Sequence, residues 1–336
     1  MPPPTMVISL STAAISNQYT FPKLPVKKEW RSIFLRLEGY DMKLARFNNG
    51  RIGVIRDDTI IDVTGIIGAE PEEWPPVAMN RLIANFADYR GRLETAERSA
   101  QGKPLSQVRL LTPVPWPNKV IAYPVNYHEH GVEMNAVYRA NNQGFFLKPP
   151  SALSGPADPI VLPVNGGRRI DHECELALIV SKEGRDIPRE KWREYTFGYS
   201  CLIDAVIRGK EERVTRKGFD TFCPVGPWIV TEDEIGEGVS NLQGRLWVNG
   251  ELKQDANTCD LVLDIPGMIE LASSVMTLYP GDIIATGTPA GVGPIRHGDK
   301  VRIHFERVGE MTLDVVQGET GKRSIFVEPL PVDAKA

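Results

Sequence analysis

Alternating apolar and polar residues predict β-strands along most of the chain after residue 41. Residues 42–47 and 51–55 alternate on either side of an Asn-Asn-Gly segment at residues 48–50, which is typical of a β-hairpin. A further short strand is predicted around residues 60–63. This part of the chain is therefore expected to begin as a hairpin that is followed by a third strand.

Two segments carry apolar residues at helical spacing. In the first, these residues are Leu82, Phe86, Tyr89 and Leu93. They predict one helix in a segment that is rich in helix formers. In the second, Asp264 is a typical N-cap residue, and Pro266 lies in the first turn, where a missing N–H is harmless. The apolar stripe of this second helix consists of Ile265, Met268, Ile269, Ala272 and Met276. Such a stripe predicts packing against a core.

The second half of the chain is rich in predicted strands. An Asn-Gly pair between residues 246–248 and 251–253 predicts a two-residue hairpin turn. Residues 300–306 alternate and predict a late strand. A short strand at residues 283–285 is expected to lead into a glycine-rich turn at residues 286–293.

The same patterns divide the chain into parts. Residues 111–118 are rich in proline and predict a linker. We therefore expect a small N-terminal domain with its linker at residues 42–115, a larger domain at residues 116–330 and a tail at residues 331–336. Residues 1–41 are expected to form an extension or an arm that packs on a partner subunit. A cleaved signal is less favoured, because no basic segment precedes the first apolar run.

The composition is that of a globular protein. The chain of 336 residues has a net charge of −4 and five scattered histidines, so neither a nucleic-acid-binding surface nor a zinc finger is expected. The four cysteines are widely spaced, which favours free thiols in a reducing cytosol. No apolar run reaches the ~18 residues that a membrane-spanning helix needs. A cytoplasmic protein without a membrane segment is therefore predicted.

Two glutamates, two residues apart, are the strongest chemical signal. Glu173 and Glu175 point to the same side of a predicted strand that becomes apolar on both faces, where carboxylates are costly unless they are paired or bind a metal. Asp204 follows another apolar run at residues 197–203 and would supply a third carboxylate. Three carboxylates suit Mg²⁺ or Mn²⁺, with Ca²⁺ as an alternative. The simpler interpretation is an exposed strand face for the glutamates and a turn residue for Asp204.

Further residues could take part in catalysis or binding. His130 and Glu133 would meet on one face of a helical turn, where the carboxylate orients the imidazole as a general base. Polar residues on a surface loop are the alternative. Lys217 could place a cation against a developing enolate, although most lysines face water. Gly287 and Thr288 could offer an N–H and a hydroxyl to a carboxylate. Neither a Walker loop nor a Rossmann glycine motif occurs, so nucleotide binding has little support.

Residues 116 to about 328 resemble the fumarylacetoacetate hydrolase family. The blocks that carry the resemblance are residues 126–130 with Glu133, 146–151, 171–176, Asp204 with Arg208, 217–221, 226–228, 248–251, 280–282 and 286–289. The resemblance implies an α+β, mainly β fold: a mixed β-sandwich roll of the fumarylacetoacetate hydrolase type with a small N-terminal β/α domain. Family members are usually homodimers, so a homodimer is expected here.

The resemblance also implies roles for individual residues. The implied metal ligands are Glu173, Glu175 and Asp204, and the implied catalytic residues are His130, Glu133 and Lys217. The implied substrate-binding residues are Tyr127, Arg208, Gly287 and Thr288. Two positions depart from the family pattern. Pro124 stands where glycine is usual, and His172 stands where an aromatic residue is common. Both departures are expected to affect substrate choice.

The function implied by the resemblance is metal-dependent hydrolysis of a carbon–carbon bond in a 2,4-dioxo acid of the acylpyruvate type, through a metal-bound enolate. The same enolate chemistry also serves isomerases, oxaloacetate decarboxylases and hydratases of this family. A non-catalytic scaffold that keeps the fold is the alternative of another class. The expected partner is a small 2-oxo acid, with neither nucleic acid nor a membrane involved.

Overall fold

The computed structural model of the protein describes residues 42–319. The predicted extension at residues 1–41 and the predicted tail at residues 331–336 lie outside the described residues, as does the end of the predicted larger domain. Within residues 42–319, no helix is both long enough and apolar enough to cross a membrane.

β-Strands form most of the regular structure between residues 42 and 319. The strands are β1 Lys43–Phe47, β2 Arg51–Arg56, β3 Thr59–Asp62, β4 Lys103–Pro104, β5 Leu110–Leu111, β6 Val120–Ala122, β7 Phe146–Lys148, β8 Leu153–Ser154, β9 Ile160–Leu162, β10 Ile170–His172, β11 Cys174–Val180, β12 Thr196–Ile203, β13 Val206–Ile207, β14 Cys223–Thr231, β15 Gln243–Val248, β16 Glu251–Asn257, β17 Ile283–Ala285, β18 Gly293–Pro294, β19 Lys300–Phe305 and β20 Gly309–Gln317. The α-helices are α1 Ala78–Ala84, α2 Phe86–Ser99, α3 His128–Glu133, α4 Ala140–Gln143, α5 Arg213–Lys217, α6 Glu232–Ile235 and α7 Ile265–Val275. Short 3₁₀ helices cover Leu105–Gln107, Pro150–Ala152, Arg189–Tyr195, Gly236–Asn241 and Thr258–Asp260. This content confirms the predicted α+β, mainly β class.

Two large sheets pack against each other. The larger sheet has the order β4-β3-β2-β1-β14-β12-β11-β17-β6-β7, with β5 beside β1 and β8 beside β14. The second sheet has the order β16-β15-β19-β20-β9, and it contacts the first through strands β11, β12 and β14. Most neighbouring strands are antiparallel, but three pairs are parallel: β6 with β17, β8 with β14, and β9 with β20. A small third sheet has the order β13-β10-β18.

Strand β11 is buried on both faces, as its apolar pattern predicts. Leu176 and Leu178 pack in the core between the two large sheets. Ala177 and Ile179 pack in a second core, on the side covered by helices α1 and α2. Alternate residues of a strand point to opposite faces. Packing on both sides therefore fixes the strand and the position of the side chains at its start.

Several local predictions are confirmed. The hairpins β1/β2 and β15/β16 form around the two predicted turns, and the four cysteines are free thiols. Helix α7 begins after Asp264, whose side chain accepts a hydrogen bond of 3.1 Å from the N–H of Gly267. Met268, Ile269 and Ala272 are buried, as the apolar stripe predicts.

The predicted helix through Leu82 and Leu93 is instead two helices, α1 and α2. They are separated by Asn85, whose φ of −121° and ψ of 27° are not helical. The Asn85 side chain donates a hydrogen bond to the carbonyl of Arg81. Asparagine readily makes such local bonds in place of helical ones, and this explains the break within an otherwise periodic segment.

The N-terminal strands continue the larger sheet. Strand β1 pairs with β14 through Lys43 with Val230 and Leu44 with Ile229, and thereby joins residues from both sides of the predicted linker. The division into domains at residue 115 stays a prediction.

Candidate metal centre and active site

Three buried carboxylates converge where β10, β11 and β12 meet. Glu173 lies between β10 and β11, Glu175 lies in β11, and Asp204 follows β12 directly. The antiparallel pairing of β11 with β12 places Cys174 opposite Ile203, and the Asp204 N–H donates to the carbonyl of Glu173 at 3.0 Å. One oxygen from each of the three carboxylates lies within 4.8 Å of the others. The structure thus brings together the three predicted metal ligands.

Glu175 is the carboxylate that lacks a cationic partner. Its Oε2 accepts a hydrogen bond of 2.8 Å from the Gly287 N–H, and no ion pair is formed by Glu175 within residues 42–319. Burial, together with the neighbouring carboxylates of Asp204 and Glu173, raises the pKa of Glu175 well above its usual range. A group in this environment gains most from a divalent cation, because that cation would offset both burial and the like charges.

The other two carboxylates are surrounded by positive charge. Lys217 Nζ lies 2.7 Å from Glu173 Oε2 and 2.5 Å from Asp204 Oδ2. Arg208 Nη2 lies 3.7 Å from Glu173 Oε1 and is held by Asp171. Burial alone would raise the pKa of Glu173, but Lys217 and Arg208 outweigh it and lower that pKa. The same contacts raise the pKa of Lys217 against the effect of its burial, so Lys217 remains an ammonium.

Lys148 is a buried cation of the site that the sequence analysis did not single out. Its Nζ lies 2.5 Å from Asp204 Oδ1 and 2.7 Å from the carbonyl of Lys217, and its side chain is 0% exposed. Strand β7 is short and contains the sequence Phe-Leu-Lys, which by itself resembles an exposed edge strand. In the sequence, Lys148 could have been noticed only because it lies in the block at residues 146–151, which resembles the family.

We expect Lys148→Met to lower the free energy of unfolding by about 2–3 kcal/mol, because two buried acceptors lose a charged donor. Urea unfolding of the metal-free protein measures this change. Lys182→Met is the matched control, since the ion pair of Lys182 with Glu194 is largely exposed and such pairs contribute little. Equal stability of the two variants would contradict a structural role for Lys148.

His130 and Glu133 form the predicted dyad on helix α3. His130 Nδ1 lies 2.9 Å from Glu133 Oε2, and the second carboxylate oxygen accepts from the Gly291 N–H at 3.0 Å. His130 is buried, whereas His128 at the start of the same helix is exposed. Because a carboxylate accepts, Nδ1 carries the proton, and the lone pair lies on Nε2. That nitrogen can accept a proton from water.

A cavity of about 380 Å³ joins these groups. Predicted site residues that line it are His130, Glu173, Glu175, Asp204, Arg208, Lys217 and Thr288. Tyr127 is buried, pairs with Leu261 and is not among the lining residues. The Gly287 N–H is engaged by Glu175, so it is not available to a substrate carboxylate. The role of Tyr127 in substrate binding stays a prediction.

The three carboxylates fit a divalent cation by their chemistry. All donors are oxygens, which hard cations such as Mg²⁺ and Mn²⁺ prefer. Although Lys148 and Lys217 contact both oxygens of Asp204, each carboxylate oxygen has two lone pairs and retains one for a metal. Glu175, which is buried and forms no ion pair with any of residues 42–319, offers a carboxylate that a divalent cation would stabilise.

The fold and the site together define a metal-binding α+β enzyme with a cavity for a small molecule. The sequence profile of the C-terminal domain of fumarylacetoacetate (FAA) hydrolase matches residues 119–316. The chain belongs to the fumarylacetoacetate hydrolase family, and the family predicted from the sequence is confirmed.

Characterised relatives resemble the chain over most of its length. A maleylpyruvate hydrolase from Aquipseudomonas alcaligenes is 43% identical over 286 residues, which are 82% of this chain and 99% of that protein. A mitochondrial oxaloacetate tautomerase from Rattus norvegicus is 38% identical over 225 residues, or 63% of this chain and 71% of that protein. The crystal structure of maleylpyruvate hydrolase from Sphingobium sp. SYK-6 in complex with manganese (II) ion and pyruvate is 57% identical, with a TM-score of 0.77, and the match covers 83% of this chain and 100% of that one. The predicted fold of the fumarylacetoacetate hydrolase type is thereby confirmed.

Proposed function

We propose that the protein is a metal-dependent hydrolase that cleaves a carbon–carbon bond in an acylpyruvate, with maleylpyruvate as the first substrate to test. One observation carries this proposal: a single cavity contains three buried carboxylates, a histidine held by a carboxylate, and cationic side chains. The similarity to two maleylpyruvate hydrolases supports the choice of substrate.

Glu173, Glu175 and Asp204 would hold the divalent cation, which when bound supplies positive charge for the oxygens of a 2-oxo acid. His130 takes a proton from water through Nε2, while Glu133 holds Nδ1 and stabilises the imidazolium that forms. Lys217 and Arg208 place positive charge beside the reacting oxygens, where it stabilises a developing enolate. Thr288 offers its hydroxyl to the substrate carboxylate.

The proposed hydrolysis adds the elements of water across one carbon–carbon bond of the acylpyruvate. Hydroxide from the activated water adds to the distal carbonyl carbon, and the bond between that carbon and the adjacent methylene breaks. The electron pair of the broken bond remains with the pyruvate fragment as an enolate. Protonation of the methylene carbon then gives pyruvate, and the acyl group leaves as a carboxylic acid.

Enolate formation from oxaloacetate is the second candidate activity, because a relative that is 38% identical over 225 residues is an oxaloacetate tautomerase. Decarboxylation or tautomerisation of oxaloacetate uses the same cationic surroundings but needs no activated water. The geometry of His130 and Glu133 favours hydrolysis over decarboxylation, since a histidine oriented by a carboxylate is suited to deprotonating water.

The proposal extends to the oligomeric state, the cellular location and the domain boundaries of the protein. We propose a homodimer in the cytoplasm, with a small domain at residues 42–115 and the catalytic domain at residues 116–330. Light scattering of the purified protein measures the assembly, and a mass of one chain would contradict the dimer.

The function is tested on the purified protein with Mg²⁺ or Mn²⁺ against acylpyruvates including maleylpyruvate, oxaloacetate and dioxo acids of homoprotocatechuate breakdown. Pyruvate release is followed by coupling to lactate dehydrogenase. We expect metal-dependent release of one pyruvate for each acylpyruvate consumed, and loss of the activity after treatment with EDTA. Absence of turnover across the whole panel, together with absence of bound metal, would favour the non-catalytic scaffold.

A further inference from the structure

Gln254 is a buried amide next to the active-site cavity. It is the one fully buried residue in β16, a strand whose other positions are exposed or half-buried, and its relative exposure is 1%. The four partners of its side chain are the Cys174 N–H, His172 Nδ1, the Thr288 hydroxyl and the Pro289 carbonyl. A buried amide whose oxygen and nitrogen each have two hydrogen-bond partners is held in one orientation.

The partners of Gln254 decide which amide atom is the oxygen. Oε1 lies 2.9 Å from the Cys174 nitrogen, which can only donate, and Nε2 lies 2.9 Å from the Pro289 carbonyl, which can only accept. Turning the amide by 180° would place two donors together and two acceptors together. The backbone therefore fixes Oε1 as the acceptor and Nε2 as the donor.

This polarity determines the direction of the Thr288 hydroxyl. Gln254 Nε2 lies 2.8 Å from Thr288 Oγ1, and because Nε2 donates, the hydroxyl oxygen must accept. The proton of that hydroxyl remains to be donated elsewhere. Among residues 42–319 no acceptor for it is recorded, and Thr288 lines the cavity. The hydroxyl thus faces a ligand as a donor, which is the polarity that an anionic oxygen needs.

His172 holds the other end of the amide. Its Nδ1 lies 3.0 Å from Gln254 Oε1, and since Oε1 accepts, Nδ1 must carry a proton. His172 is 0% exposed and immediately precedes Glu173 in the chain. A chain of hydrogen bonds therefore runs from His172 through Gln254 to Thr288 and ends in the cavity.

We propose that Gln254 is a positioning residue that fixes the hydroxyl of Thr288 as a hydrogen-bond donor to the carboxylate of the substrate. This inference rests on the proposed function, in which Thr288 contacts that carboxylate. Gln254 acts through Thr288 and does not touch the substrate. The hydrogen bond from Thr288 to the substrate carboxylate is present equally in the bound substrate and in the transition state. Gln254, which positions that bond, therefore affects KM more than kcat.

The test compares the metal-loaded wild-type protein with Gln254→Glu, a variant of nearly the same shape. Its carboxylate still accepts from the Cys174 N–H, but it also accepts from the Thr288 hydroxyl and turns that proton away from the cavity. We expect KM for maleylpyruvate to rise about tenfold or more, the loss of one charge-assisted hydrogen bond, with kcat changed by less than about threefold. Gln254→Met removes the donor without a charge and is expected to raise KM in the same direction.

A double-mutant cycle separates positioning from general damage. Thr288→Val removes the hydroxyl and is expected to raise KM by a similar factor. In the Thr288→Val background, Gln254→Glu is expected to add less than about twofold. Gln243→Met, at a side chain that bonds to Asp255 on the sheet surface, is the matched control.

Failure of the role proposed for Gln254 and failure of the proposed hydrolase activity give different kinetic results. If the wild type turns over acylpyruvates but the effects of Gln254→Glu and Thr288→Val multiply, Gln254 does not act through Thr288 and the inference fails. If both variants at residue 254 fail to fold, a wild-type KM in Thr288→Val still overturns it. Absence of turnover by the metal-loaded wild type contradicts the proposed function itself.

Discussion

Glu175→Gln is expected to lower kcat/KM for the acylpyruvate about 10³-fold, the upper end of the effect of removing one preorganised electrostatic group. Glutamine keeps the size of the side chain and an acceptor for the Gly287 N–H, but it removes the negative charge. The metal then has two anionic ligands in place of three. We therefore expect weaker Mn²⁺ binding in calorimetric titrations, together with the loss of turnover.

The stability of the metal-free protein provides a second measurement for the same variant. Burial and the carboxylates of Asp204 and Glu173 raise the pKa of Glu175 and outweigh Lys217 and the Gly287 N–H, so a neutral side chain at this position does not destabilise the metal-free fold. We expect Glu175→Gln to unfold in urea at the same or a higher concentration than the wild type. Glu183→Gln, at an exposed position beyond the end of the same strand, is the control. Undiminished metal content and turnover in Glu175→Gln would rule out the assigned metal site.

The ion pairs of the site explain why replacing Glu175 alone is expected to lower kcat/KM so strongly. Lys148 and Lys217 both contact Asp204, and Lys217 also contacts Glu173. These lysines hold two of the ligands in place before any metal binds. Glu175 is hydrogen-bonded only by a backbone N–H, so its carboxyl group remains available to a cation. The lysines organise the site, while Glu175 supplies a ligand that no lysine or arginine side chain of residues 42–319 pairs with.

The grouping of the two glutamates of the acidic triad could be predicted because the rules that place them are local. Two residues spaced by two in a strand point to the same side, and the apolar pattern of β11 indicated burial on both faces. The spacing of three between His130 and Glu133 similarly predicted their contact on one helical turn. Each of these predictions needed only the regular geometry of one secondary-structure element and the type of residue it carried.

Lys148 and Gln254 could not be found in the same way, because their burial depends on distant parts of the chain. Gln254 lies in a strand of mostly polar residues. The partners that bury it lie elsewhere in the chain, at His172, Cys174, Thr288 and Pro289. Lys148 is enclosed by residues that follow it by 56 to 74 positions. No periodicity within β7 or β16 carries that information, since a polar residue on a short strand most often faces water.

His130→Ala is expected to lower the hydrolysis of maleylpyruvate by about 10²–10⁴-fold, the range for removal of a general acid or base, and to leave the decarboxylation of oxaloacetate within about threefold of the wild type. Hydrolysis needs a deprotonated water, which His130 Nε2 provides while Glu133 holds Nδ1. Decarboxylation forms the enolate by loss of carbon dioxide and needs no water. Both activities are measured by steady-state kinetics on the same metal-loaded preparation.

His128→Ala is the matched control, because His128 is exposed on the same helix, two residues from His130, and both activities should remain at the wild-type level. An equal fall of both activities in His130→Ala would place His130 in the shared enolate step and contradict its role in activating water. Loss of decarboxylation alone would also contradict a role of His130 in activating water. A selective loss of hydrolysis instead separates two parts of one cavity: the carboxylates and cations that stabilise the enolate, and the dyad on α3 that supplies hydroxide.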